Sequence, residues 1–508
     1  MTSIPSAENS QVKSVSGAVM SLFVIQIVST LSFSVLYSTL VLYMEKKLGL
    51  TMSNAHNIMG VFVAFNYALH LVGGLWGGRL LSNRALFCLG MLLQMTGCLL
   101  LSLGDLNSLY LGLATFLTGS GLNVTCVNCM LTECFAPDDT RRETAFFMNY
   151  AGMNIGFFVG FSMSGIFQLS QDYSRLFLLS SIGNLLALVV CLFCWQLLGD
   201  KKTVYAQKTV TEQRRSVCIG FLLIMTLPFV LSQLLHYAEW SKRLVLITGL
   251  CMLVYIVYLA RQQISSSARN RIYAFAILML VSILFWMLYQ IAPMGLTTFI
   301  EYNVRRDYNG WIIAPQWFQN INTVCIVIGG PLLAGALHLM RRHGFEVNIP
   351  MQFCLALFFI GLSFIILPLG IHWANNQGLV NSVWIVGCYT LQSLGEILTS
   401  PVAHAMIGYL APVRLQGMMM GMWMLGTGVG GTLSSYSSNW MIAGQDSTLP
   451  LATNAGYSHV FLILGSVAIS ASIILFLFIP SLKILISGKK MNANKVTSMP
   501  PATEAVSM

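Results

Sequence analysis

Charge is what this chain has least of. Asp, Glu, Lys and Arg make up 9% of its 508 residues, against 56% hydrophobic residues. A soluble globular chain averages about 25% charged residues. With a mean hydropathy of +0.73, this one cannot cover itself with water-facing charge, so its solvent is lipid. Acids are scarcer still, 17 against 27 basic residues. Histidine is rare too, and no Ser/His/Asp set or metal-ligand spacing is recognisable among the eight, which argues against a hydrolase or a metalloenzyme. The cysteines form two CxxC pairs, Cys126/Cys129 and Cys191/Cys194, both inside apolar runs without a second pair or a histidine. They read as small helix-packing residues. Gly426 to Gly431, GTGVGG, lacks the Lys-Ser/Thr of a phosphate loop and reads as close helix packing. No cofactor is expected.

What is present is a series of long apolar runs. Six lie at about 18–44, 54–80, 85–104, 109–135, 144–168 and 174–198. A basic link, GDKKTVYAQKTVTEQRRS, leads to two shorter runs near 217–236 and 243–260. A second link, ARQQISSSARNR, leads to six more, at about 272–300, 315–340, 349–371, 379–410, 415–441 and 457–486. Each is long enough to span a bilayer. The expected fold is therefore all-α and integral to the membrane, with about 14 transmembrane helices. Residues 18–199 form one six-helix bundle and 272–486 a second. Residues 200–271 hold the links and an inserted pair, and 1–17 and 487–508 are polar tails. The N-terminus is polar and the run after it is too long for a signal core, so the first helix is expected to stay as an anchor.

Basic residues set the orientation. With both termini in the cytoplasm, all but seven of the 27 Lys and Arg fall on the cytoplasmic side; the seven are Lys46, Lys47, Arg175, Lys242, Arg243, Arg305 and Arg306. This is the positive-inside bias. It accounts for the net charge of +10 without nucleic acid. Lys242 and Arg243 fit it poorly. Two six-helix halves joined by a long link suggest a rocking transporter with its site near the midplane, between the halves.

Particular residues narrow the reading. FFMNYAGMNIGFF, from Phe146 to Phe158, resembles the fifth-helix signature of the proton-dependent oligopeptide transporter (POT/PTR) family, a branch of the major facilitator superfamily. Phe146, Tyr150, Asn154 and Gly156 match, while Asn149 stands where a tyrosine is usual. APDDTRRETAF resembles the loop before it, with Asp139, Arg141 and Glu143. WFQNINTVCIVIGGPLLA resembles the eighth helix, counted without the inserted pair, with Gln319, Asn322 and Pro331. LQSLGEILTSP resembles the tenth, and RLQGMMMGMWML the eleventh, with Arg414 and Trp423. The resemblance spans about residues 20 to 475. It implies a major-facilitator fold in the cell inner membrane and transport of di- and tripeptides coupled to protons. It also implies that Glu396 faces the central cavity and receives the peptide ammonium. A carboxylate at mid-membrane depth costs several kcal/mol unless compensated, and a substrate cation is a fitting partner. A protonated, hydrogen-bonded structural glutamate is the alternative. Tyr67, Tyr150, Asn154 and Asn322 are the further candidates for binding, with Trp286 and Trp423 as walls or as plain packing. Arg79, Arg84, Asp139, Arg141, Glu143 and Arg414 are candidate latches between helices at the cytoplasmic ends, or simply solvated turns. EYNVRRDYNG, from Glu301 to Gly310, is a candidate for an analogous contact on the outer side.

The departures from the family are coordinated. Its first helix carries E-x-x-E-R-F-x-Y-Y, where this chain has Gln26, Ser29, Thr30, Leu31, Phe33 and Ser34 at the named positions. The fourth-helix lysine is Val124, the seventh-helix acid is Gln290, and the second-helix aspartate is Gly78. Positive and negative partners vanish together, which a fold tolerates better than losing one of a pair. Three readings stay open: a peptide/proton symporter in which Glu396 is both ammonium receptor and proton site; a carrier of the same fold for another amine-bearing or peptide-like solute, imported or exported; and a non-transporting sensor or assembly protein. His404, eight residues after Glu396, is a possible relay or a helix-end residue.

Overall fold

The structure, a computed structural model, describes residues 6–136, 139, 141–200, 203–344, 347–444 and 447–487. Six helices come first: α1 (Ser6–Lys46), α2 (Met52–Trp76), α3 (Asn83–Ser102), α4 (Leu106–Glu133), α5 (Arg141–Ser170) and α6 (Tyr173–Phe193). The inserted pair is α7 (Val210–His236) and α8 (Ala238–Arg261). Then follow α9 (Ser266–Tyr289) and α10 (Thr297–Asn303), joined by a π-helical turn at Ala292–Leu296 into one broken span. The last five are α11 (Pro315–Arg342), α12 (Ile349–His372), α13 (Val383–Leu410), α14 (Gln416–Met441) and α15 (Pro450–Ser487). Among the described residues, twelve helical segments are both long and apolar enough to cross a bilayer. α13 and α14, with 28 and 26 residues, also have the length. α14 is rich in Gly, Ser and Thr because it lies inside the molecule rather than against lipid.

Local chemistry places the ends. Thr51, Ser82 and Asp105 each accept a backbone N–H at the start of the following helix, satisfying donors the first turn leaves free. α2 stops four residues before the apolar run does, at a tight turn in which Gly78 has φ +67°. That left-handed conformation favours glycine, which gives a local reason for the missing aspartate there. α1 begins well before its apolar run. Residues 6–17 contain no proline, and their one glycine, Gly17, lies at the far end, so nothing in the polar stretch interrupts the helix. α8 begins five residues earlier than its apolar run and so contains Lys242.

The helix packing repeats. In the first six helices, α3 packs on α4 and α6, α1 on α5 and α6, and α2 on α4. In the last set, α12 packs on α13 and α15, α9 on α14 and α15, and α11 on α13. These are the same five pairings displaced by one six-helix unit. The two sets meet through α2 against α14 and α5 against α11, again one contact and its repeat. The α2–α14 seam is made of small residues: a Cβ on Gly60 would lie 2.6 Å from the Cβ of Ser435, and one on Gly431 would lie 2.6 Å from Val63 Cγ1. GTGVGG is thus a packing surface. α7 lies on α4, and α8 on α2, α9 and α14.

The misfit Lys242 has a structural explanation. Its side chain is fully buried. Its Nζ donates to Asn57 Oδ1 at 2.5 Å, lies 3.1 Å from Glu239 Oε1, and sits 3.8 Å over the Tyr436 ring. Asn57 also accepts from Asn439 at 2.7 Å and donates to Glu239 at 2.6 Å. Lys242 is therefore an interior ion tying α8 to α2 and α14, not a loop charge that reports topology.

Candidate solute-binding site

One end of the molecule carries most of the basic residues; it is the basic end below. At the opposite end the two sets of helices are sealed. Lys46 on α1 pairs with Glu301 on α10, and Arg306 reaches the same carboxylate at 3.1 Å. Tyr302 donates to Glu45 Oε1 at 2.6 Å. On the other seam, Trp317 Nε1 donates to Ser162 O at 3.0 Å, Asn320 to Ser162 Oγ at 3.0 Å, and Gln316 to Gln168 at 3.3 Å. Short strands brace this end, β1 (Val304–Arg305) running parallel to Val380–Asn381. The stretch beginning at Glu301 thus does make a contact across the halves.

The basic end is open. From Val327 to Arg342, α11 has no buried residue; it touches α13 near Gly329 and Ile397 and is otherwise largely exposed over four turns. Across the gap on α5, Phe147 is 65% exposed and Tyr150 37%. Among the described residues, the gap between the halves thus widens toward the basic end.

Glu396 sits near the middle of α13 and is half-buried. Asn322 on α11 donates to its Oε2 at 2.9 Å and to Ser393 Oγ at 3.1 Å. Tyr289 on α9 donates to Asn322 Oδ1 at 3.4 Å. Tyr37, Tyr67, Tyr150 and Tyr289 all lie within electrostatic reach of the carboxylate. Tyr37 donates to Gln290 Oε1 at 2.7 Å, and Gln290 Nε2 donates to Tyr67 at 3.4 Å. Helices α1, α2 and α5 of the first set and α9, α11 and α13 of the last thus converge on one carboxylate. The arrangement sets one carboxylate, oriented by an amide, among phenols. A carboxylate so placed can accept hydrogen bonds from a cation with N–H donors.

The expected residues divide. Glu396, Asn322, Tyr67 and Tyr150 come together. Trp286 lies beside them, its ring 5.2 Å from that of Tyr289 and its buried Nε1 without a partner among the described residues. Asn154 is buried and donates to its own helix at Tyr150 O, 3.0 Å away. Trp423 is 4% exposed and packs edge-on against Phe353 in a core cluster toward the basic end, apart from Glu396. The His404 side chain lies outside the described residues. Of the latch candidates, Asp139 and Arg141 pair with each other at 2.7 Å. Arg84 donates to Trp195 O and lies 4.3 Å over its ring. Arg79 offers its carbonyl to Lys208, Arg414 reaches Gln263 at 3.5 Å, and Glu143 is exposed. None of these bonds joins the two halves, in keeping with an open basic end.

Two members of the site were not anticipated. Tyr37 lies eleven residues after Gln26, three helical turns along the same face, and Tyr289 immediately precedes Gln290. Both signals are weak, because tyrosines are common on membrane helices. The missing charges of the first helix have a visible replacement. Gln26 Nε2 donates to Thr30 Oγ1 at 2.9 Å, Thr30 back to Gln26 O at 2.7 Å, and Asn149 Nδ2 to Gln26 Oε1 at 3.4 Å. The asparagine that departs from the fifth-helix pattern is the partner of the glutamine that departs from the first.

The sequence pattern of the POT family matches residues 84–455. The dipeptide and tripeptide permease A of Salmonella typhimurium is 30% identical over 469 residues, 91% of each chain. The permease of the same name from Escherichia coli (strain K12) is 29% identical over 467 residues, again 91% of each. A crystal structure of a variant peptide transporter POT in complex with alafosfalin superposes with a TM-score of 0.81 at 26% identity, covering 92% of this chain and 96% of that one.

Proposed function

We infer the function from one premise: the chain belongs to the POT family. It is a multi-pass carrier of the bacterial inner membrane, and its cargo is small peptides. The bacterial dipeptide and tripeptide permeases that align with it almost end to end support this reading. The observation that carries it is Glu396, a single mid-helix carboxylate held by Asn322 in a cavity between two repeated halves and open at one end. The peptide ammonium docks on Glu396, and Tyr67, Tyr150, Asn322 and Trp286 offer hydrogen bonds to its amide groups. Asn154 shapes α5 from within, and Trp423 supports the fold behind the site.

The halves then rock about the α2–α14 and α5–α11 seams, in the manner of alternating access. The basic end faces the cytoplasm by the positive-inside rule, so both termini are cytoplasmic and the present state faces inward. Opening outward requires breaking the Glu301 cluster and closing the basic end. There Arg79, Arg84, Asp139, Arg141, Glu143 and Arg414 are placed to serve as latches. Coupling falls to the same carboxylate. This is binding and movement, with no bond made or broken in the solute.

The test is concentrative uptake of a labelled dipeptide into proteoliposomes under an inward proton gradient, for wild type and Glu396→Gln. Gradient-dependent uptake that disappears in the variant is expected. Absence of uptake by folded wild type would overturn the peptide reading, and uptake by the variant equal to wild type would overturn the role of Glu396.

A further inference from the structure

We propose that this site selects its cargo by the ammonium alone and holds no receptor for a terminal carboxylate, so that peptides with an uncharged far end are its better ligands. The proposal rests on the peptide reading and sharpens it. Its first support is the placement of every basic residue. No Lys or Arg occurs between Lys13 and Lys46, Lys47 and Arg79, Arg84 and Arg141, or Arg142 and Arg175. None occurs between Arg271 and Arg305, Arg306 and Arg341, Arg342 and Arg414, or Arg414 and Lys483. Those intervals contain the interiors of every helix around the cavity. The carboxylate of a zwitterion bound at Glu396 would meet no fixed cation.

The groups that stand around the site are neutral and specific. The wall between α1 and α5 is the Gln26–Thr30–Asn149 chain of amides and a hydroxyl. Between α1, α2 and α9 runs the Tyr37–Gln290–Tyr67 chain. Three polar atoms near these chains remain unpartnered among the described residues: the donor Trp286 Nε1, the acceptor Asn149 Oδ1 and the ring nitrogen His70 Nε2. A carboxylate brings acceptors only, whereas a carboxamide brings a carbonyl for a donor and an N–H for an acceptor. Net charge points the same way. With Glu396 ionised, a monocation leaves the loaded cavity neutral, while a zwitterion leaves it with an uncompensated negative charge at mid-membrane depth, the more costly state. One imidazole stands near this wall: His70, whose ring meets that of Tyr67 edge-on at 5.8 Å.

The experiment measures equilibrium binding by the purified full-length chain at neutral pH. Three probes of one backbone are compared: alanyl-alanine, alanyl-alanine amide and N-acetyl-alanyl-alanine. The amide is expected to bind at least as tightly as the free acid. The acetylated probe, which lacks the ammonium, is expected to bind at least about tenfold more weakly, the factor equivalent to ~1.4 kcal/mol. Glu396→Gln is expected to lose the amide and the free acid alike. Preference for the free acid over the amide by about tenfold would overturn the proposal while leaving the peptide reading standing. Such a preference that appears only in acid and is abolished in His70→Gln would overturn it too, and would make the histidine the carboxylate receptor. If none of the three probes binds, the peptide reading fails and this inference falls with it.

Discussion

Asn322 and Asn154 are both asparagines in apolar helices, yet they answer to different partners. Asn322 bonds the Glu396 carboxylate and Asn154 the backbone of its own helix. Asn322→Ala should therefore weaken apparent peptide affinity by about tenfold, the scale of one charge-assisted hydrogen bond. Asn154→Ala should change it by no more than ~0.5 kcal/mol while lowering thermal stability. Concentration dependence of uptake, read beside the melting temperature, separates the two. Lys242 gives a second contrast. Asn57→Leu takes the buried Lys242 ammonium's amide partner, leaving it Glu239 and the Tyr436 ring, and also frees Asn439; it should destabilise the protein by about 2 kcal/mol. Lys242→Met leaves Asn57 bonded to Asn439 and Glu239 half-open to solvent, and should cost less than about 1 kcal/mol. Thermal unfolding in detergent ranks them. Much of the site was legible at this scale because a carboxylate or an amide in an apolar run is conspicuous. Aromatic residues were harder to place. A tryptophan on an apolar helix reads equally as pocket wall or as core, and only packing distinguishes Trp286, beside Tyr289, from Trp423, against Phe353.

At the level of elements, the spans were legible from hydropathy because lipid demands it, and their ends were less so because caps and turns are made of few residues. α1 runs into polar sequence without a break, and α8 takes in Lys242, since an interior ion needs partners that hydropathy does not show. The seam between halves has an equally local origin. Gly60→Val places a branched side chain where Ser435 stands 2.6 Å from the first added carbon. It should force α2 and α14 apart at a cost of about 1–3 kcal/mol and reduce folded yield, which size-exclusion profiles would report. Outside the membrane, Asp200 accepts the backbone N–H of Asn83 and ties the link after α6 to the start of α3. Burial pushes its carboxyl up to about 6, with Glu133 adding to the rise and the Asn83 N–H and Arg84 opposing it. Below the ordinary carboxyl value, both folded and unfolded states hold the proton. Between that value and about 6 the folded state alone keeps it, so the stabilisation fades as pH rises through this window. The melting temperature should fall correspondingly from about pH 4 to about pH 7, and Asp200→Asn should flatten the slope.

The whole molecule is a pair of repeats closed at one end and open at the other. Its closed end concentrates charge on Glu301, which serves both Lys46 and Arg306. Glu301→Gln weakens that seal without touching the Glu396 site. It should shift the population toward the outward-open state, lengthening spin-label distances between the outer ends of α1 and α10 and changing transport rate more than surface expression. An unchanged distance distribution would remove the seal from the mechanism. The lone carboxylate carries a last consequence, for membrane voltage. If the carrier returns empty with Glu396 ionised, it moves a net negative charge relative to the field. An inside-negative potential then drives the return outward, by some fraction of the ~2.3 kcal/mol available per charge per 100 mV. If it returns with a proton on Glu396, that step is electrically silent. A monocationic cargo docked on the ionised carboxylate is silent as well. The potential therefore acts on the unloaded carrier, and current recorded during its return distinguishes a carrier that comes back bare from one that comes back protonated.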